Sequence, residues 1–136
     1  MGMIGKPILM MLPALIICIT GQFLITESEP NNAVNLLWCN SHGYSQEDLY
    51  SGSVADVLMD LMNVTPTRKG FDYHTVSGNA LAVSFGRATC NGALSRTDCA
   101  NCLVVAKTTV TSGCRNSVGG RTELVDCSIR YENYPI

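Results

Sequence analysis

Charge and aromatic surface are both scarce in this sequence. Charged residues make up 15% of its 136 positions, aromatics 7%, and tryptophan occurs once. Nine Lys and Arg stand against eleven Asp and Glu, a formal net charge of −2. That balance excludes a polybasic nucleic-acid binder and a cationic membrane-lytic peptide. The only histidines, His42 and His74, lack the spacing of zinc ligands, and a second Cys-x-x-Cys pair is missing. No Gly-x-Ser-x-Gly is present, so the nucleophile-elbow hydrolases drop out. His42 sits in the loop Ser41–Tyr44 and His74 in an alternating stretch, where a strand-surface role is expected. Internal repeats are absent, no catalytic constellation is legible, and the reading is of a protein that is not an enzyme.

One long apolar run is present, at the N-terminus. Lys6 precedes Ile8–Ile19, a short basic start followed by an apolar core, the form of a secretory signal peptide. Pro13 interrupts it, and a spanning helix needs about 20 apolar residues. The expectation is that residues 1–29 are signal and leader, cut after Thr20, after Gly21 or nearer Glu29, and that residues 30–136 form a single domain. A cut after Glu29 removes Lys6, Glu27 and Glu29 and leaves a net charge of −1. No second apolar span follows, so a secreted product without stable membrane insertion is expected.

Removing the signal also removes Cys18, the odd one of seven cysteines. Cys39, Cys90, Cys99, Cys102, Cys114 and Cys127 remain, an even set that reads as three disulfides in a small extracellular domain. Six cysteines allow 15 pairings, and spacing alone does not choose among them. Three of the six crowd into Cys90–Cys102, with eight residues and then two between them. Ser95 and Asp98, inside that stretch, have the pattern of a helix start. The Cys99-x-x-Cys102 spacing suits a redox dithiol or half a zinc site, but the surroundings of either are missing. It serves structural frameworks equally well.

Periodicity predicts the elements. Asn35–Asn40 reads as a short strand, with Trp38 expected in the core. Val54, Val57, Leu58, Leu61 and Met62 form one apolar stripe of a helix over Ser53–Met62, with Ser53 and Asp56 as its cap pattern. Asp56 and Asp60 would lie on its solvent side. Asn63-Val64-Thr65 is a glycosylation sequon followed at once by Pro66. Phe71–Val76 and Leu81–Cys90 read as a hairpin joined through Ser77–Asn79. A second helix over Arg96–Thr109 points Cys99, Cys102, Leu103, Ala106 and Val110 inward, and Gly113 suits its stop. Gly119-Gly120 reads as a turn, and Arg121–Tyr134 as extended. The order is β, α, β, β, α, β with room for one more strand. This is an α+β sandwich with helices on one face of an antiparallel sheet. From the residues alone the chain is a secreted disulfide-rich domain whose trade is binding.

The stretch Cys90-x8-Cys99-x2-Cys102 resembles the hallmark of a plant secreted cysteine-rich domain found in receptor-like kinase ectodomains and plasmodesmal proteins. Phe85–Cys90 and Leu124–Glu132 are similar to the ginkbilobin-like antifungal seed proteins of that family, and the likeness covers roughly residues 35–133. It implies two helices on a roughly five-stranded sheet, with disulfides Cys39–Cys114, Cys90–Cys99 and Cys102–Cys127. It implies no cofactor and no metal. The partners it implies are mannose or mannan-type glycans of fungal cell walls, held by Asn40, Arg121 and Glu132. Those residue types suit a sugar, because an amide donates and accepts, a guanidinium only donates, and a carboxylate only accepts. On one straight strand Arg121 and Glu132 would lie about 36 Å apart on opposite faces. A shared site therefore requires the chain to reverse or bulge near Val125-Asp126, where the Gly or Asn of a tight hairpin is missing. The alternative is a protein-binding module, such as a secreted protease inhibitor or a signalling partner.

Overall fold

The computed structural model describes residues 30–136; the signal and leader expected over residues 1–29, Cys18 among them, lie outside the described residues. Five strands and two α-helices alternate: β1 Val34–Cys39, α1 Leu49–Val64, β2 Asp72–Ser77, β3 Ser84–Cys90, α2 Arg96–Gly113, β4 Gly120–Leu124 and β5 Cys127–Glu132, with a 3-10 turn at Thr65–Thr67. All pairings are antiparallel, in the order β1-β4-β5-β3-β2. Both helices cover the same face. The two-layer α+β architecture is the one expected, with the extra strand present.

Helix α1 starts a turn earlier than its stripe predicts. Asp48 caps it, accepting the Tyr50 N–H at 2.9 Å, and Tyr50 extends the buried row through Val54, Val57, Leu58 and Leu61. Ser53 is therefore no cap. It is buried inside the helix, and its hydroxyl donates to the Ala82 carbonyl. Gly52 conceals this first turn, because a glycine lowers helix propensity. Asp60 does not face solvent alone; it accepts from Tyr73 Oη at 2.8 Å and Thr75 Oγ1 at 2.6 Å, tying α1 to β2.

Strand β3 turns its small residues inward. Ser84, Gly86 and Ala88 are buried while Arg87 is exposed and Phe85 half-buried. A Cβ on Gly86 would meet Val57 Cγ1 at 2.3 Å and Leu61 Cδ1 at 2.8 Å, so α1 lies directly on the strand's backbone. The larger alternating residues Leu81, Val83 and Phe85 fall on the other side, and Leu81 is 92% exposed.

Helix α2 begins as its sequence predicts, with Ser95 Oγ accepting the Asp98 N–H at 3.0 Å, and runs to Gly113. Cys99, Cys102, Leu103, Ala106 and Val110 have no exposed surface. The disulfides are Cys39–Cys114, Cys90–Cys99 and Cys102–Cys127. Cys99 and Cys102 thus belong to different bridges, and the dithiol reading of their spacing fails. Sequence separations of 75, 9 and 25 residues correspond to loop-closure contributions of about 4.5, 2.5 and 3.5 kcal/mol.

The chain does reverse at Val125-Asp126. Arg121 pairs with Arg130 and Glu123 with Ser128, leaving two residues beyond Leu124 for the connection. Neither has a positive φ, so this is not one of the primed turns that favour Gly and Asn. Outside partners hold it. Val125 N–H donates to Ala33 O at 3.0 Å, Asp126 N–H to Asn31 O at 3.2 Å, and Asn91 N–H to Asp126 O at 2.8 Å. The Asp126 carboxylate accepts from Asn31 N–H at 2.6 Å and Asn91 Nδ2 at 3.2 Å.

Replacing Cys39 and Cys114 together by Ser should therefore destabilise the domain more than the Cys90/Cys99 pair, by about 2 kcal/mol. Equilibrium denaturation of both double variants measures the difference, and equal losses would contradict the loop-closure ranking.

Candidate functional site

The face of the sheet away from the helices is a grid read off the strand registers. The central row runs His74, Arg87, Arg130, Arg121, Trp38, each opposite the next on β2, β3, β5, β4 and β1. On one side lies the row Asp72, Thr89, Ser128, Glu123, Leu36. On the other lie Val76, Phe85 and Glu132, continued by Gly119 and by Asn40, whose N–H donates to Gly119 O at 2.8 Å. All three expected site residues fall on this face. Arg121 and Glu132 are diagonal neighbours, a separation of about 7–8 Å in an antiparallel pair, within the span of one hexose.

Asn40 is oriented by its own backbone. Its Oδ1 accepts the His42 N–H at 2.9 Å, an Asx turn, which aims the amide NH2 at Glu132 Oε1, 3.5 Å away. Glu132 has no exposed surface and is also approached by Arg130 Nη2 at 3.4 Å. Its carboxylate lies on Gly119, where a Cβ would meet Oε1 at 1.8 Å. On the opposite face a Cβ on Gly120 would meet Cys114 Sγ at 2.9 Å.

The glycine pair is therefore not a turn. Chain reversal occurs just before it, where Asn116 takes φ 60°, and the glycines admit a carboxylate on one side and a disulfide on the other. Two tyrosines brace this segment from the core. Tyr50 Oη donates to Val118 O at 2.6 Å and Tyr131 Oη to Ser117 O at 2.9 Å. The Ser117 hydroxyl bonds the Asn40 carbonyl.

Arg121 makes no hydrogen bond or ion pair to a side chain among the described residues, and its Nε is buried without a partner. A surface ion pair between Arg121 and Glu132 does not form; Arg130 takes the carboxylate instead. Arg130 also reaches Tyr134 Oη at 3.1 Å. Its place on one strand face with Glu132 follows from their spacing of two.

Trp38, expected in the core, lies outside it. It is 44% exposed, beside Arg121 on the open face, because its register puts it on the sheet face that neither helix covers. Tyr50 and Tyr131 fill the core in its place. Asn63 is exposed on the last turn of α1, while Thr65 of its sequon is fully buried. Among the described residues no cluster of three or more His, Cys, Asp or Glu is placed to hold a metal, and no helix is long and apolar enough to cross a membrane.

A model of the salt stress response/antifungal family matches residues 38–134. The chain belongs to this family. Ginkbilobin-2, an antifungal protein of Ginkgo biloba, is 33% identical over 117 residues, covering 84% of this chain and 86% of that protein. Plasmodesmata-located protein 7 of Arabidopsis thaliana is 29% identical over 96 residues, covering 70% of this chain but 32% of that longer protein. In three dimensions the chain is similar to the tandem DUF26 ectodomain of an Arabidopsis thaliana cysteine-rich receptor-like protein. That match has a TM-score of 0.68 at 23% identity and covers 77% of this chain and 51% of the other, about half of the tandem ectodomain. The chain's relatives thus include an antifungal protein and a longer plasmodesmata-located one, and its fold recurs in a receptor-like ectodomain.

Burial pushes the Tyr50 hydroxyl up to about 12, and burial likewise raises Tyr131. A phenol with a raised native pKa contributes stability that is complete below its unfolded value near 10 and is lost as pH climbs through 12. Stability should accordingly fall between pH 10 and 12, and Tyr50→Phe should flatten that fall, as urea melts across the range would register. An unchanged slope in the variant would mean the Tyr50 phenol is not what titrates.

Proposed function

We propose that this chain is a secreted, lectin-like plant defence protein that binds mannose units of cell-surface glycans and so inhibits fungal growth. One observation carries the reading: an Arg121 guanidinium without a side-chain partner among the described residues stands diagonal to a carboxylate and an oriented amide, on an uncovered sheet face. Arg121 has donors to spare for sugar hydroxyls, Asn40 Nδ2 donates, and Glu132 accepts. Glu132 is covered, so a hydroxyl reaches it by displacing the Arg130 or Asn40 contacts, which at 3.4 and 3.5 Å are long enough to be exchanged at little cost. Exposed Trp38 adds an apolar face beside the guanidinium for the ring's C–H side. The antifungal name of the Ginkgo relative supports the same reading, and three disulfides suit an oxidising, extracellular setting.

A site this shallow should hold one monosaccharide at about millimolar Kd, near −4 kcal/mol. Useful retention then comes from many mannose units on one glycan. Arg121→Ala should abolish retention on mannan and inhibition of fungal growth without lowering the melting temperature, because no other side chain among the described residues is held by Arg121. Growth inhibition equal to the parent's would end the lectin reading. Exposed Val76 and Leu81, beside a fold shared with receptor-like ectodomains, favour the protein-binding alternative. That reading predicts inhibition of a purified protease that excess mannose does not relieve.

A further inference from the structure

Three arginines directly opposite one another on neighbouring strands repel, and such like-charge pairs are destabilising. Here Arg87, Arg130 and Arg121 stand in one row across β3, β5 and β4. The first two are offset by acids from the flanking rows. Arg87 is held bidentately by Asp72 at 3.0 and 2.8 Å, and Arg130 by Glu132 at 3.4 Å.

Arg121 has neither relief. Its neighbour in one flanking row is Gly119, which carries no side chain, and Glu123, two residues along the same face, makes no ion pair with it among the described residues. The Nε atoms of Arg121 and Arg130 are both shielded from solvent without a hydrogen-bond partner. Orphaned buried donors call for a missing acceptor.

Between the arginine row and the next one lies a groove of about 230 Å³ lined by Arg87, Thr89, Arg121, Glu123, Ser128 and Arg130. It lies on the far side of Arg121 from Asn40 and Glu132. Pockets that enclose a whole small ligand run to about 300–1,000 Å³, so this one suits a substituent rather than an entire molecule. Its lining carries three guanidinium groups, of which Arg87 and Arg130 are engaged by Asp72 and Glu132 and Arg121 is not, together with the Glu123 carboxylate and Ile136. The Thr89 and Ser128 hydroxyls, 2.7 Å apart, lie on its floor. Guanidinium forks match the paired oxygens of a carboxylate or phosphate.

We propose that this groove is an anion subsite, and that the preferred ligand is an acidic saccharide. Its carboxylate or phosphate lies between Arg121 and Arg130 while its sugar ring extends past Arg121 toward Asn40 and Trp38. For the sugar part, the inference rests on the glycan reading above; the anion part stands on the groove alone.

The test is calorimetric titration of the full chain with mannose, mannose 6-phosphate and a galacturonate trisaccharide. At least one charged sugar should bind about tenfold tighter than mannose, the equivalent of one charge-assisted contact, and that advantage should shrink at high salt. A phosphate-only or carboxylate-only preference assigns the groove to that group.

Ser128→Asp, which puts a carboxylate on the groove floor away from Asn40 and Glu132, should erase the advantage and leave mannose affinity unchanged. Glu123→Gln, which removes the competing acid, should strengthen charged-sugar binding severalfold. Charged sugars that bind no tighter than mannose, with both variants silent, would overturn the subsite and leave the mannose reading standing. Charged sugars that bind with the predicted variant effects, while mannan is not retained, would support the subsite and overturn the mannose reading.

Discussion

Close backbone approach at Gly119 and Gly120 is the constraint on which the rest of the molecule depends. The Cys39–Cys114 bridge presses on Gly120 from the helix side and the Glu132 carboxylate on Gly119 from the open side. A side chain at Gly120 would push α2 away from the sheet, and one at Gly119 would displace the Glu132 carboxylate. Because the bridge joins the end of β1 to the end of α2, it fixes the segment that continues into Asn40. Tyr50 and Tyr131, reaching out of the core to the Val118 and Ser117 carbonyls, hold the same strip of backbone from beneath. The core thus sets the position of the outer face to within hydrogen-bond tolerances.

Much of this is legible in the sequence, and for identifiable reasons. The α2 cap and its buried cysteine stripe are local patterns that tertiary context reinforces. The apolar stripe of α1 reveals the helix but starts it too late, because the Asp48 cap lies behind a glycine and small polar residues. The β4–β5 connection carries no turn signature at all, since distant segments at Asn31, Ala33 and Asn91 supply its hydrogen bonds. Local sequence cannot report such partners.

The site divides along the same line. It is the family resemblance, not residue type alone, that singles out Asn40, Arg121 and Glu132. The hairpin register brings Arg121 and Glu132 to one face, and the Asn40 N–H bond to Gly119 O adds Asn40. Trp38 stands outside the core expected of it because its register puts it on the sheet face that neither helix covers. Spacing two puts Arg130 on one strand face with Glu132, but nothing in the sequence announces that three arginines from three strands will align. That alignment follows from register, which emerges only when the strands pair.

The clamped tip of the β4–β5 hairpin has a bearing on maturation. Asn31 and Ala33 supply the backbone groups that close it, and they lie within four residues of the expected leader boundary. Were residues 1–29 removed as a leader, this tip would stay closed only if the cut left Asn31 and Ala33 in place. A cut that spares Asn31 yields a sealed tip, whereas one that runs past Ala33 strips the acceptors from Val125 and Asp126 and leaves that end of the hairpin open to water. Closure of the hairpin tip is thus a property of the segment from Asn31 to Ala33 as much as of the hairpin itself.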